Sequence, residues 1–255
     1  MPAWQSVTLD GVPFARITRH QLVEHVVAES TGGRGGWIIT ANVDYLQRFA
    51  TEPASTAVYP HADLIVADGM PLLWAARLRG TPLPDRVAGS DLVWLIAEAA
   101  ARRGRSLYLL GGNPGAGEAA GSALRARSPE LRLAGSSSPR VANPPAAAQL
   151  ESIRRELAEV SPDIVYVAFG APKEELLIDA LRTHFPHTWW IGVGISLSFI
   201  SGEVKRAPAW MQRAGLEWVH RLAQEPRRLG PRYLTRNLGF AIGLLLRSAR
   251  SRQPG

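Results

Sequence analysis

Asp68 ends the apolar run Asp63–Ala67 (DLIVA) and stands directly before Gly69. A carboxylate carried to the end of a buried strand sits where a crevice opens, and there it can act as a general base toward a hydroxyl; a helix N-cap is the plainer use of the same residue. Thr40 and Asn42 end the run Trp37–Thr40 (WIIT) in Thr-Ala-Asn. Their side chains suit a sugar hydroxyl or acetamido group, or the capping of the helix that follows. After SLYLL comes GGNPGAGEAAG, where Gly111 and Gly112 open a turn whose backbone amides can approach a diphosphate at a helix N-terminus. Its glycines are not spaced as G-x-G-x-x-G, which argues against a nicotinamide oxidoreductase. GAPKEE, Gly170–Glu175, follows DIVYVAF and offers Lys173 for a phosphate and Glu174 for a ribose or sugar hydroxyl. An ordinary first helical turn with favourable carboxylates would be spelled the same way.

The chain has no cysteine, so thiol nucleophiles, zinc thiolates and disulfides are excluded. It has no Asp-x-Asp for a metal on a nucleotide diphosphate, no G-x-S-x-G elbow and no P-loop. His184 and His187 straddle Pro186 and read as a helix end. No metal and no cofactor is expected. Arginines and helix N-termini can neutralise a leaving diphosphate in a metal's place. The arginines are concentrated in Lys205–Tyr233, KRAPAWMQRAGLEWVHRLAQEPRRLGPRY, which includes Lys205, Arg206, Arg221, Arg228 and Arg232 against the acids Glu217 and Glu225. Apolar residues between them predict one amphipathic helix over Ala207–Ala223, with Pro208 in its first turn and Pro226 ending or bending it.

Short apolar runs alternate with helical patterns and place these residues. Val7–Ile17 predicts a hairpin around Asp10-Gly11, and Thr18 caps a helix to about Ser30. Strands are expected at 37–40, 63–67, 106–110, 131–134, 163–168 and 188–193. Helices are expected from Val43, over 71–78, from Ser90 or Asp91 to Gly104, and over 116–126, 146–160 and 174–184, with a Ser/Pro loop at 136–145. Strands that are apolar throughout belong to a mostly parallel sheet covered by helices on both faces, a Rossmann-like α/β fold. Ligands of such sheets bind beyond the carboxyl ends of the strands. Thr40, Asn42, Asp68, Gly111–Gly115, Gly170–Glu174, Gly192 and Gly194 are therefore expected to meet in one crevice.

The 255 residues suffice for one large domain with an appendage. Charge divides them: residues 205–255 carry 11 Lys+Arg and 2 Asp+Glu, whereas residues 1–204 are near neutral. We therefore separate a catalytic body, 1–204, from a basic appendage, 205–255. Such an appendage suits a phosphate-bearing ligand, an anionic membrane or nucleic acid. The N-terminus has neither the basic nor the apolar region of a signal peptide. No apolar run reaches the roughly 20 residues of a membrane span. Leu238–Leu246, flanked by Arg236 and Arg247, can lie in a membrane interface or dock on the body.

Several blocks, taken in order, resemble the WecG/TagA/CpsF glycosyltransferases: TANVDYL, ADLIVADGMPLLWAARLRGTPLPDRVAGSDL, LYLLGGNPGAGEAA, PDIVYVAFGAPKEE, IGVGISLSFISGEVKRAPAW and GLEWVHRLAQEPRRL. The resemblance implies an inverting, metal-independent transfer of a sugar, N-acetylmannosamine or a related aminosugar or uronic acid, from a UDP-sugar to a polyprenyl-diphosphate-linked acceptor. It implies Asp68 as the base and Thr40, Asn42 and Arg86 as pocket residues. The tail arginines would belong to a segment that closes over the site and engages the membrane. The expected place is cytoplasmic, at the inner face of the cell membrane. Departures are Glu174 where the family block G-x-P-x-Q-E has Gln, Ser198 where an Asp is usual, Pro231-Arg232 in place of an arginine pair, and no glycine-aromatic pattern at Ser136–Val141. A carboxylate at Glu174 would repel an anionic donor sugar. The contrasting reading is a nucleic-acid-binding module built on the basic tail, which would leave the polar strand ends without a purpose.

Overall fold

The computed structural model describes residues 4–251, with the side chains of Arg228, Arg232 and Leu234 outside that description. The hairpin forms as β1 (Ser6–Leu9) and β2 (Val12–Ala15), paired antiparallel. Thr18 caps α1 (Arg19–Thr31) in a capping box with Gln21. There follow β3 (Gly36–Ala41), α2 (Val43–Thr51), α3 (Pro53–Val58), a short 3-10 turn, β4 (Leu64–Ala67), α4 (Met70–Leu78) and α5 (Gly89–Arg102). Next are β5 (Ser106–Gly111), α6 (Ala116–Arg127), β6 (Arg132–Ser137), α7 (Ala147–Val160), β7 (Ile164–Ala168), α8 (Lys173–Arg182) and β8 (Trp189–Gly192). The C-terminal part is helical: α9 (Ser196–Ile200), α10 (Ala209–Arg213), α11 (Glu217–Gln224), α12 (Pro226–Gly230), a π-helical stretch Pro231–Asn237, and α13 (Leu238–Arg250).

Six strands form one sheet in the order β4-β3-β8-β7-β5-β6, and every pairing in it is parallel. Successive side chains leave a strand on opposite faces. Trp37 and Ile39 therefore enter one apolar layer and Ile38 the other, and Trp190 and Trp189 divide in the same way. One layer is closed by α1, α5, α6 and α9, through residues such as Leu22, Ile96, Leu124 and Leu197. The other is closed by α2, α4, α7, α8 and α13, through Leu46, Leu72, Leu157, Ile178 and Leu244. This is the doubly covered α/β fold that the apolar strands predict.

Three stretches depart from expectation. β6 runs on to Ser137, so the Ser/Pro loop starts later than its composition suggests. The 207–223 stretch is two helices, because Gly215 takes a left-handed φ of +73° and packs on α4, where a Cβ would lie 2.8 Å from Met70 Cβ. Pro208 precedes α10 as its N-cap and is not inside its first turn. The tail is also less of a free basic arm than its charge implies. Arg206 pairs with Asp91 at 2.7 Å, Arg236 with Glu52 at 3.4 Å and Arg247 with Asp10 at 2.5 Å, all on the body.

Close approach at the β5 end supplies a test of the fold. Gly111 has φ +101°, and a Cβ there would sit 2.8 Å from the Ala168 carbonyl oxygen of β7. Gly111→Ala is expected to destabilise the protein by about 2–4 kcal/mol in chemical denaturation, from backbone strain plus overpacking.

Candidate active site

The strand ends open into one cavity of about 860 Å³, within the range of small-ligand sites. β3 contributes Thr40 and, just past its end, Asn42; β4 is followed by Asp68; Gly112, Gly170 and Gly194 follow β5, β7 and β8. Arg86 and Ser90 enter from the segment around the start of α5. The C-terminal helices supply the remaining wall, with Glu217, Trp218 and Arg221 of α11 and Leu238, Ala241 and Ile242 of α13. Met70, Pro71 and Trp74 of α4 face the cavity beside α13, so its polar floor runs into an apolar flank.

Asp68 is not the N-cap of α4: that position is Gly69, and no side chain caps the helix. Its Oδ2 accepts the Gly89 N–H of α5 at 3.2 Å. Burial pushes its carboxyl up to about 6; the nearby Arg86 charge opposes that, and the Glu217 charge adds to it. At neutral pH Asp68 is thus ionised yet a far better proton acceptor than an exposed aspartate. Thr40 Oγ1 donates to the Gly192 carbonyl at 3.1 Å, which ties β3 to β8 at the cavity floor. Asn42 does cap the next helix, its Oδ1 accepting the Tyr45 N–H at 3.2 Å. Its amide nitrogen has no protein partner among the described residues.

Glu174 lines the cavity with one carboxylate oxygen turned to the backbone. Its Oε2 accepts N–H groups of Gly170 at 3.0 Å and Gly194 at 3.2 Å, so one carboxylate joins the loops after β7 and β8. A glutamine oxygen could accept the same two bonds. Burial raises the carboxyls of Glu174 and its neighbour Glu175. Gly111, Pro172, Lys205 and Arg206 do not line the cavity. Gly111 packs beneath it against Ala168, Pro172 is the N-cap of α8, and Lys205 is exposed. Arg206 lies behind the wall, bound to Asp91 and Glu217. Arg228 and Arg232 fall among the residues whose side chains lie outside the description.

Sequence reasoning missed Glu217. It is the first residue of α11, and its Oε2 accepts Arg86 Nη1 at 3.0 Å. Trp218 and Tyr233, ring centroids 6.3 Å apart and edge-on, also line the cavity. One of two acids in a basic stretch was the only signal for Glu217, and it reads equally as a solvated position. The arrangement can take a proton at Asp68, hold an anion with Arg86 and Arg221, and accommodate an apolar group along α4 and α13.

Comparison with known proteins places the chain in a family. The profile of the glycosyl transferase WecG/TagA/CpsF family matches residues 7–254. The N-acetylglucosaminyldiphosphoundecaprenol N-acetyl-beta-D-mannosaminyltransferase of Bacillus spizizenii is 31% identical over 207 residues, covering 79% of this chain and 78% of the relative. The enzyme of the same name from Bacillus subtilis is 28% identical over 223 residues, covering 87% and 85%. With a match that spans nearly the whole chain, the protein belongs to the WecG/TagA/CpsF family and is a glycosyltransferase.

Proposed function

We propose that this enzyme transfers N-acetylmannosamine from UDP-ManNAc to the N-acetylglucosamine of a polyprenyl-diphosphate-linked acceptor, with inversion and without a metal ion. The observation that carries the reading is Asp68, with its raised proton affinity, at the floor of a cavity that has cationic side chains on one side and an apolar flank on the other. The names of the two relatives support the sugar and the acceptor. In the proposed step the acceptor hydroxyl gives its proton to Asp68 while its oxygen attacks the anomeric carbon. The bond from that carbon to the diphosphate oxygen breaks, and UDP leaves with the electron pair. Arg86 and Arg221 stabilise the charge on the departing diphosphate. Thr40 and Asn42 orient the reacting sugar.

The apolar flank continues outside. Leu238, Ile242 and Leu246 recur at four-residue spacing on the exposed side of α13, opposite the buried Leu244 and Ser248. Trp74 and Leu78 of α4 are exposed as well. No helix among the described residues is long and apolar enough to cross a membrane. We infer that this surface rests in the interface of the inner membrane face, where the lipid-linked acceptor is presented. The nucleic-acid alternative finds no support: Arg206, Arg236 and Arg247 turn to carboxylates of the body, and the family is one of transferases.

Three outcomes are expected. Asp68→Asn should lower turnover of UDP-ManNAc with a short-chain lipid-diphosphate-GlcNAc acceptor by about 10²–10⁴-fold, while wild-type kcat/KM should fall about tenfold per pH unit below pH 6. Near-normal transfer by the variant would exclude Asp68 as the base. The same substitution should stabilise the fold. A carboxyl raised in the folded state favours folding below its unfolded value near 3.8, and that contribution is lost as pH rises through about 6. Asp68→Asn should therefore be more stable than wild type at pH 7–8, by up to about 3 kcal/mol in chemical denaturation, with the difference closing near pH 4. Finally, Ile242→Asp with Leu246→Asp should abolish co-sedimentation with phosphatidylglycerol vesicles and leave the melting temperature little changed. Undiminished vesicle binding would contradict the membrane assignment.

A further inference from the structure

Arg86 already holds an anion supplied by the chain itself. Its Nη1 donates to Glu217 Oε2 at 3.0 Å, and its Nη2 reaches Asp91 Oδ2 at 3.5 Å. The other Glu217 oxygen, Oε1, accepts Arg206 Nε at 3.3 Å. One carboxylate thus bridges two guanidinium groups at the cavity wall, with side-chain exposures of only 14% for Arg86 and 20% for Glu217. Guanidinium groups bind carboxylate and phosphate oxygens through the same planar array of donors. A diphosphate entering beside Asp68 therefore meets two carboxylates, and its best cation is already engaged.

Other contacts also fasten the tail. Arg206 keeps its own bond to Asp91 at 2.7 Å, Leu244 of α13 is fully buried in the core, and Arg247 pairs with Asp10. α11 lies between two backbone breaks, the left-handed Gly215 before it and Pro226 after it, so it can shift as a short rigid unit. Two donors near the contact, Arg206 Nη2 and Arg221 Nε, are buried without a hydrogen-bond partner among the described residues. They would gain partners if a multivalent anion replaced a single carboxylate.

Resting on the reading of the donor as a nucleoside-diphosphate sugar, we propose that Glu217 is an internal competitor for the donor's diphosphate: it occupies Arg86 and Arg206 in the empty enzyme, and donor binding displaces it together with α11. Charge balance favours the exchange. Arg86 and Arg206 are matched by Asp91 and Glu217 before binding, and withdrawal of Glu217 leaves one positive charge unmatched at the wall that a diphosphate enters. Arg221 and Trp218 lie on the same helix and line the same cavity, so the displacement also resets the wall over the reacting sugar.

Calorimetric titration of UDP and of uridine into wild type, Glu217→Gln, Glu217→Ala and Arg86→Ala tests this at fixed ionic strength. Both Glu217 variants should bind UDP about five- to tenfold more tightly than wild type, uridine affinity should not change, and Arg86→Ala should bind UDP more weakly. Wild-type binding of UDP with equal or weaker binding by the Glu217 variants would overturn the inference and leave the functional reading standing. Failure of both variants to fold would mean that Glu217 is a fastening of the tail, which also overturns it. Absence of UDP binding by the folded wild type would overturn the functional reading and this inference with it.

Discussion

A parallel sheet covered on both faces has little room for polar side chains except at its strand ends. Every residue of β4, β7 and β8 is buried, and their side chains alternate into two apolar layers closed by helices. The interior strands pair on both sides and the edge strand β4 finds the Val87 N–H for its Ala67 carbonyl, so chemistry is pushed to where the strands stop and the chain turns. Thr40, Asp68, Gly112, Gly170 and Gly194 come together for that reason, although they are distant in sequence. The loops that carry them are fixed by polar ties: Thr40 to the Gly192 carbonyl, Asp68 to the Gly89 amide, and Glu174 to the amides of Gly170 and Gly194.

Electrostatics at this edge are finely opposed. Removing Asp68 from water raises its proton affinity, Arg86 lowers it and Glu217 raises it again. The same Arg86 is bound to Glu217 of α11 at 3.0 Å. An anion that took hold of Arg86 would therefore act both on the Asp68 carboxyl and on the α11 contact. Asp68, Arg86 and α11 are thus linked electrostatically through the Arg86–Glu217 contact.

The strands and the residues that end them were legible because a continuous apolar run closing in a polar residue fits little besides a buried strand that opens into a loop. Asp63–Ala67 before Asp68 and Trp37–Thr40 before Asn42 are of this kind. The C-terminal part was less legible, since its structure is set by contacts that no local pattern encodes. Gly215 looks tolerable inside an amphipathic helix, yet its packing on Met70 and Trp74 demands a left-handed turn. Glu217 has its partner Arg86 131 residues away, so nothing beside it in sequence marks it as part of the site. Glu174 lines the cavity as its position predicts, and one of its oxygens also ties backbone amides that a glutamine could serve as well.

The claim that a sugar is transferred at this strand-end cavity, with protein cations assisting departure of the diphosphate, is tested most directly by UDP release in the presence of EDTA. The assay would supply a panel of UDP-sugars with and without a short-chain lipid-diphosphate-GlcNAc acceptor. The account predicts EDTA-resistant, acceptor-dependent release from UDP-ManNAc, with a product of inverted anomeric configuration. Release that EDTA abolishes, or no acceptor-dependent release from any donor in the panel, would contradict it.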